Sequence, residues 1–390
     1  MIRKTTSFLT ATAAALLIGT ASATAFETDA TAAFVLDEKT GTVLLAKNAD
    51  TPLPPASMSK LMTLYIAFEA VRDGRLALDE RLPVSAHANS FGGSTLFLRE
   101  GERVSVEDLL RGIIVLSGND ACVVIAEALS PDGSEAGFAR LMTQRAQQLG
   151  MTNSTFKNSS GWPAAGHVMS MRDLTLLAQR IIQDFPEFYP MFAEKEFLFD
   201  EQESQNRFNR NPLLGLGIGA DGLKTGHTEE AGYGLVGSAK QGDRRVIFSI
   251  TGLDTAAARA QESEAIVNWA FRQFAERTVT KSGQVIAEAD VWMGAQETVG
   301  LVAKEDVSLL LPTTPGGDVM AEVVYTGPIE APIAAGGQLA ELIISPDGLP
   351  EHRIPLYAAE VVPASGFFAR IMNVSQVLLG RMQSGSEGAM

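Results

Sequence analysis

Pro54-Pro55-Ala56-Ser57-Met58-Ser59-Lys60-Leu61-Met62-Thr63-Leu64-Tyr65-Ile66-Ala67-Phe68 decides how this chain is read. Apolar residues at spacings of three and four predict a helix over residues 57–71. A separation of three puts the Ser57 hydroxyl and the Lys60 amine on one face of it, within reach of each other. Serine is a poor nucleophile until a base removes its proton, and a lysine can be that base only when neutral. An unperturbed lysine titrates near 10.4, so the site must lower this toward roughly 7–8 by burial and nearby positive charge. So apolar a run around Lys60 supplies the burial.

Outward from this helix, residues 31–37 and 42–47 are apolar runs around Glu38-Lys39-Thr40-Gly41 and read as a β-hairpin. A second hairpin spans 232–239 and 244–252 around Gln241-Gly242-Asp243. Between the hairpins, residues 106–116, 120–129, 135–149 and 171–184 carry helical periodicity, and another helix covers about 261–271. Terminal hairpins enclosing a helical middle imply an antiparallel sheet backed by helices, an α+β domain.

Beyond about residue 276 the helical period fades. Val279, Val285, Ala287, Val291, Val299, Val307, Leu309, Leu311, Val319, Val323, Leu339, Leu342 and Ile344 recur in short stretches punctuated by Gly and Pro, as in a small all-β sandwich. In residues 365–390, Phe367, Phe368, Ile371, Met372, Leu378, Leu379 and Met382 share one helical face, flanked by Arg370 and Arg381. This tail is too short and polar to span a bilayer and reads as an amphipathic helix lying on a membrane surface. Docking on the protein's own sandwich is the alternative reading. At the other end, Arg3 and Lys4, an uncharged stretch over about 10–21, and Ala23-Thr24-Ala25 read as a cleaved secretory signal of residues 1–25. A retained anchor is the competing reading of that segment.

Acidic residues outnumber basic ones 46 to 31, for a net charge of −15 in 390 residues, which argues against nucleic acid as a partner. A single cysteine, Cys122, excludes an intramolecular disulfide, and its apolar run makes it a buried small hydrophobe. His87, His167, His227 and His352 share no metal-like spacing, so no metal and no cofactor are expected.

Two further motifs accompany Ser57 and Lys60. Ser117-Gly118-Asn119 follows the helix of residues 106–116 and can present a hydroxyl and an amide to the same cleft. Lys224-Thr225-Gly226, before His227-Thr228, reads as the start of an edge strand. A peptide lying on such an edge gains backbone hydrogen bonds, Gly226 permits close approach, and Lys224 with Thr225 can hold a carboxylate. Lys224 is also expected to supply the positive charge that depresses Lys60. Ser154-Thr155-Phe156-Lys157, Ser204-Gln205-Asn206 and Lys39-Thr40-Gly41 match the same three patterns. Context separates the sets: Ser154 lies in a polar loop that cannot desolvate a lysine, and Lys39 in a hairpin turn.

Ser-x-x-Lys, Ser-x-Asn and Lys-Thr-Gly in this order form the signature of penicillin-binding proteins and class A β-lactamases. The chain resembles the low-molecular-mass penicillin-binding proteins that are serine-type D-alanyl-D-alanine carboxypeptidases. The likeness rests on Pro55-Ala56-Ser57-Met58-Ser59-Lys60-Leu61-Met62, Leu116-Ser117-Gly118-Asn119-Asp120-Ala121, Asp221-Gly222-Leu223-Lys224-Thr225-Gly226-His227-Thr228 and Ala231-Gly232-Tyr233-Gly234-Leu235-Val236-Gly237-Ser238-Ala239. The resemblance implies a β-lactamase/transpeptidase-like catalytic domain over 26–275, a β-sandwich domain over 276–364, and an amphipathic tail that attaches the secreted protein to the outer face of the inner membrane, in the periplasm. It also implies that Ser57 attacks the bond between the last two D-alanines of a peptidoglycan stem peptide while Lys60 takes its proton. Ser117 would relay a proton to the departing D-alanine, and Asn119 would orient Lys60 and the substrate amide. Lys224 and Thr225 would bind the terminal carboxylate, the backbone N–H groups of Ser57 and His227 would form the oxyanion hole, and β-lactams would act as covalent inhibitors. One departure stands out: in Thr255-Ala256-Ala257-Ala258-Arg259, alanines replace a second arginine that relatives often carry. Between Ser117 and Lys224 there is no Glu-x-x-x-Asn element of the kind that supplies a β-lactamase with its deacylating base.

Overall fold

The computed structural model describes residues 26–199, 206–313, 319–346 and 349–366. Strands β1 (Ala32–Asp37) and β2 (Val43–Lys47) pair antiparallel as the first hairpin. Two short strands, β3 (Arg81–Pro83) and β4 (Arg103–Ser105), form a separate ribbon. Strands β5 (Ala220–Thr228), β6 (Gly232–Gln241) and β7 (Arg244–Leu253) join the first hairpin in a five-stranded antiparallel sheet of order β2-β1-β7-β6-β5. The two ends of the domain therefore meet at its centre, β1 beside β7, and β5 is left as an edge. Successive residues of β1 face two different cores, with Ala32 and Phe34 in one and Ala33 and Val35 in the other. Such a strand is apolar throughout rather than alternating, because both sheet faces are covered.

Helices α1 (Lys60–Arg72), α2 (Ala86–Asn89), α3 (Val106–Arg111), α4 (Asn119–Leu129), α5 (Glu135–Gln148) and α6 (Met171–Asp184) lie between the hairpins. Helix α7 (Ala256–Arg272) covers the other face with Ile266, Val267 and Ala270. Every residue of α1 from Lys60 to Phe68 is buried, so it is a core helix. Serine caps set several boundaries: Ser134 and Ser170 accept from Gly137 and Asp173 N–H at the starts of α5 and α6. Three expected boundaries shift. Ser57 lies in a 3₁₀ turn, Ala56–Ser59, one turn ahead of α1. The helix of residues 106–116 ends in a widened π-type turn, Gly112–Leu116. Helix α7 begins at Ala256 rather than near 261, because the Thr255 side chain caps it by accepting from Ala258 N–H.

The second unit comprises β8 (Phe274–Thr280), β9 (Val285–Trp292), β10 (Thr298–Val302), β11 (Val307–Pro312), β12 (Val319–Tyr325), β13 (Ile329–Glu330), β14 (Gln338–Pro346) and β15 (His352–Ala358). Six of them form a sheet of order β12-β14-β15-β10-β9-β13, and β8 pairs with β11. Leu301, Leu309, Leu311, Ile344 and Leu356 fill the core between them. Val279, Val285 and Val319 are on the outside, at 40%, 53% and 40% exposure, so apolarity alone did not decide their side. Leu310 instead joins the core beneath α7, which ties the two units together. Among the described residues, no helix is long and apolar enough to cross a membrane. Residues 1–25 and 367–390, which carry the expected signal and nearly all of the amphipathic tail, lie outside the described residues.

Candidate active site

Lys60 opens α1 and is fully buried, yet its amine has three partners. Its Nζ lies 2.9 Å from Ser57 Oγ, 2.7 Å from Asn119 Oδ1 and 2.6 Å from the Ser160 carbonyl oxygen. Both oxygens other than Ser57 Oγ can only accept. A neutral amine that donates to these two has spent both N–H groups, so its lone pair faces the Ser57 hydroxyl. Burial pushes the Lys60 pKa down to about 8, helped by the charge of Arg210. At neutral pH an appreciable fraction is therefore ready to take the Ser57 proton.

Three elements fix these partners. Ser57 sits on a turn whose preceding residue, Ala56, has a left-handed backbone (φ 48°), a strained conformation of the kind found at functional sites. Asn119, the first residue of α4, is held at both ends of its amide, because Nδ2 donates to the Gly92 carbonyl at 2.8 Å. The segment bearing Ser160 is pinned through Ser159, whose carbonyl accepts from Thr63 Oγ1 and whose N–H and hydroxyl donate to Glu135. Ser117 follows the π-type turn in a left-handed conformation (φ 65°) and lines the same cleft as Ser57. Beside it, the buried Asp120 carboxylate accepts from the N–H groups of Leu96 and Leu98 and so holds the neighbouring loop.

Ser57, Ser117, Thr225, Gly226 and His227 line a cleft of about 360 Å³. Lys60 and Asn119 sit directly behind Ser57. Lys224 lies in the middle of β5, not at its start as expected, and is buried with one contact, 3.2 Å to the Thr225 carbonyl. Burial lowers the Lys224 pKa well below the usual lysine range, with Lys60 and Arg210 adding to it. Lys60 and Lys224 lie close enough to interact, and Arg210 is a further cation beside Lys60. A Cβ on Gly226 would come within 3.0 Å of the Pro55 carbonyl oxygen and Met58, so only glycine lets β5 approach the Ser57 turn. His227 is exposed and stacks on Tyr233 at 3.8 Å between ring centroids.

Two guanidinium groups also line the cleft. Arg259 lies over the Tyr233 ring at 5.6 Å, and its buried Nε has no partner. Arg210 is steadied by a 2.6 Å hydrogen bond to Ser94 Oγ. Ala256 lines the wall, and Arg210 brings a second guanidinium from a different segment. Arg210 and the Ser160 carbonyl escape the sequence reading. Arg210 belongs to an irregular stretch, Asn206-Arg207-Phe208-Asn209-Arg210-Asn211, with no period to place it, and a backbone carbonyl has no signature in residue type.

The decoys fall elsewhere. Ser154 donates to Asp173 and Lys157 is exposed, while Lys39 pairs with Glu276 at 2.7 Å; Ser204 and Gln205 lie outside the described residues. Cys122 is buried in α4, and burial pushes its thiol up to about 12, which leaves it unreactive. Among the described residues, no cluster of His, Cys, Asp and Glu could hold a metal ion.

Comparison with known proteins gives the family. The family model described as D-alanyl-D-alanine carboxypeptidase matches residues 19–255, and the C-terminal domain of penicillin-binding protein 5 matches residues 274–364. The chain is 37% identical over 343 residues to D-alanyl-D-alanine carboxypeptidase DacC of Escherichia coli (strain K12), covering 86% of this chain and 84% of that protein. It superposes on the crystal structure of D-alanyl-D-alanine carboxypeptidase DacD from Francisella tularensis with a TM-score of 0.75 at 28% identity, over 87% of this chain and 95% of that one. Penicillin-binding protein D2 from Listeria monocytogenes, in its ampicillin-bound form, matches with a TM-score of 0.56 and 34% identity over 63% of this chain and 98% of its own. With a serine peptidase site at its centre, the chain belongs to the D-alanyl-D-alanine carboxypeptidase family of low-molecular-mass penicillin-binding proteins, hydrolases of cell-wall peptide.

Proposed function

We propose that this carboxypeptidase removes the terminal D-alanine from peptidoglycan stem pentapeptides through an acyl-enzyme on Ser57. The observation that carries the reading is the buried Lys60 amine, with two obligate acceptors on its N–H groups and Ser57 Oγ at 2.9 Å. Neutral Lys60 takes the Ser57 proton as Oγ attacks the carbonyl of the penultimate D-alanine. The backbone N–H groups of Ser57 and His227 receive the oxyanion. Ser117 passes a proton to the departing D-alanine nitrogen, and Asn119 holds Lys60 in line while its amide faces the substrate. Lys224, Thr225, Arg210 and Arg259 surround the terminal carboxylate, whose negative charge favours the protonated form of Lys224. Water then attacks the ester and frees the shortened peptide and Ser57.

β-Lactams, which resemble the acylated dipeptide, occupy the same nucleophile. Residues 1–25 act as the secretory signal, 26–275 as the catalytic domain, 276–364 as the β-domain, and 365–390 as the segment that rests on the outer face of the inner membrane. The experiment is incubation with a D-Ala-D-Ala-ended pentapeptide followed by mass spectrometry. The parent releases one D-alanine and Ser57→Ala releases none; rapid ampicillin turnover without D-alanine release would overturn the reading in favour of a β-lactamase.

A further inference from the structure

Glu135 opens α5 and is not among the residues that line the cleft. Its side chain is only 10% exposed, and both carboxylate oxygens are engaged. Oε1 accepts from the Ser159 N–H at 3.0 Å and from the Ser159 hydroxyl at 2.6 Å. Oε2 lies 3.2 Å from Nε2 of the exposed His87. The first turn of a helix favours a negative charge, so α5 itself supports a carboxylate at this position.

The fully buried Ser159 and Ser160 connect this carboxylate to the general base. Helix α1 touches the pair twice: Thr63 Oγ1 donates to the Ser159 carbonyl at 2.6 Å, and Lys60 Nζ lies 2.6 Å from the Ser160 carbonyl oxygen. Asn158 Oδ1 accepts from the N–H groups of Ser160 and Gly161, which shapes the segment without tying it to another element. Glu135 supplies the tie at Ser159 from α5. Its removal would leave a buried N–H and a buried hydroxyl without that acceptor, and the segment would have to move to satisfy them.

The same carboxylate also acts on Lys60 through its charge. Burial lowers the Lys60 pKa to about 8 and Arg210 adds to this, while the carboxylates of Asp120 and Glu135 oppose it. Lys224 is a further cation close to Lys60, and Cys122 beside it is a thiol that burial keeps neutral.

We propose that Glu135 is a positioning residue for the reaction: by binding Ser159 it holds the Ser160 carbonyl where the Lys60 amine spends one N–H, which leaves the lone pair directed at Ser57. The proposal rests on the carboxypeptidase reading above and names a residue outside the cleft on which its base depends.

The test is stopped-flow acylation of the full chain by benzylpenicillin across pH 6 to 9, with each rate expressed per penicilloyl group finally formed, so that inactive molecules do not count. Glu135→Ala removes the acceptor and lowers the plateau rate about 10²-fold, the effect of a misplacement of about 1 Å. Glu135→Gln keeps an acceptor oxygen for Ser159 and restores most of that loss. Both variants move the rising limb to lower pH, because a carboxylate that favours the Lys60 ammonium has gone. A merely structural role would lower the melting temperature and the number of active sites while leaving the limb and the rate per site at the parent values. That result would overturn the proposal. If Glu135→Ala does not fold, an unshifted limb in Glu135→Gln is enough to overturn it. None of these outcomes touches the carboxypeptidase reading, which fails separately if the parent releases no D-alanine from a D-Ala-D-Ala-ended pentapeptide.

Discussion

Lys60 has to be both buried and neutral, and its pKa of about 8 is set mainly by desolvation. Only the neutral form accepts the Ser57 proton, so kcat/KM for a D-Ala-D-Ala peptide is expected to rise with pH through an apparent pKa near 8. A profile flat from pH 6 to 9 would contradict the assignment of Lys60 as base. Replacing the amine, Lys60→Gln, should slow acylation by about 10²–10⁴-fold, measured with benzylpenicillin in stopped flow. His167 titrates in the opposite regime. Burial, then the charges of Lys60 and Lys157, lower its pKa from 6.5 to about 4. The unfolded chain takes up a proton that the folded chain refuses, so stability falls as pH drops from 6.5 toward 4 and levels off below. At 1.36 kcal/mol per unit the loss approaches about 3 kcal/mol. Urea unfolding of the parent at pH 7 and pH 4.5 should show much of this drop, and His167→Asn should flatten it; equal slopes in both proteins would refute the account.

The Ser57 turn is shaped by what packs against it. Gly161 has φ 80°, and a Cβ there would lie 1.9 Å from the Ala56 carbonyl oxygen. Gly161→Ala should therefore cost about 1–3 kcal/mol in a thermal melt and slow acylation, because relief of the clash moves Ser57 away from Lys60. Normal acylation in this variant would show that the turn is not held from that side. The contrast between β5 and the loops measures what the sequence discloses. Lys224-Thr225-Gly226 is legible because an edge strand, a cation and a glycine each have a local reason to be there. Likewise, Ser57 and Lys60 are legible because helical spacing joins them. Arg210 and Ser160 are not, since both reach the site through irregular backbone whose path is fixed by tertiary bonds such as Arg210 to Ser94 and Ser159 to Glu135. The early start of α7 is hidden for a related reason: its first turn is alanines under a Thr255 cap, with no apolar stripe to announce it. The sandwich strands are visible as apolar recurrence, but which side Val279, Val285 and Val319 face depends on register.

On the scale of the molecule, a net charge of −15 surrounds a cleft walled by Arg210 and Arg259 over Lys224. The substrate's carboxylate is drawn by this local field and not by the overall charge. The same acidic balance gives no attraction to anionic lipid, so the proposed membrane attachment rests on the apolar face expected of residues 365–390. Truncation before residue 365 should abolish co-sedimentation with anionic lipid vesicles and leave D-alanine release unchanged; equal sedimentation of both forms would contradict the tail's role. The central claim is that one serine in this chain of 390 residues carries the chemistry. Intact-mass spectrometry after benzylpenicillin treatment, followed by digestion, tests it most directly. The account predicts one penicilloyl group per chain, on the peptide containing Ser57, and none on Ser57→Ala; an adduct on another residue, or no adduct on the parent, would contradict it.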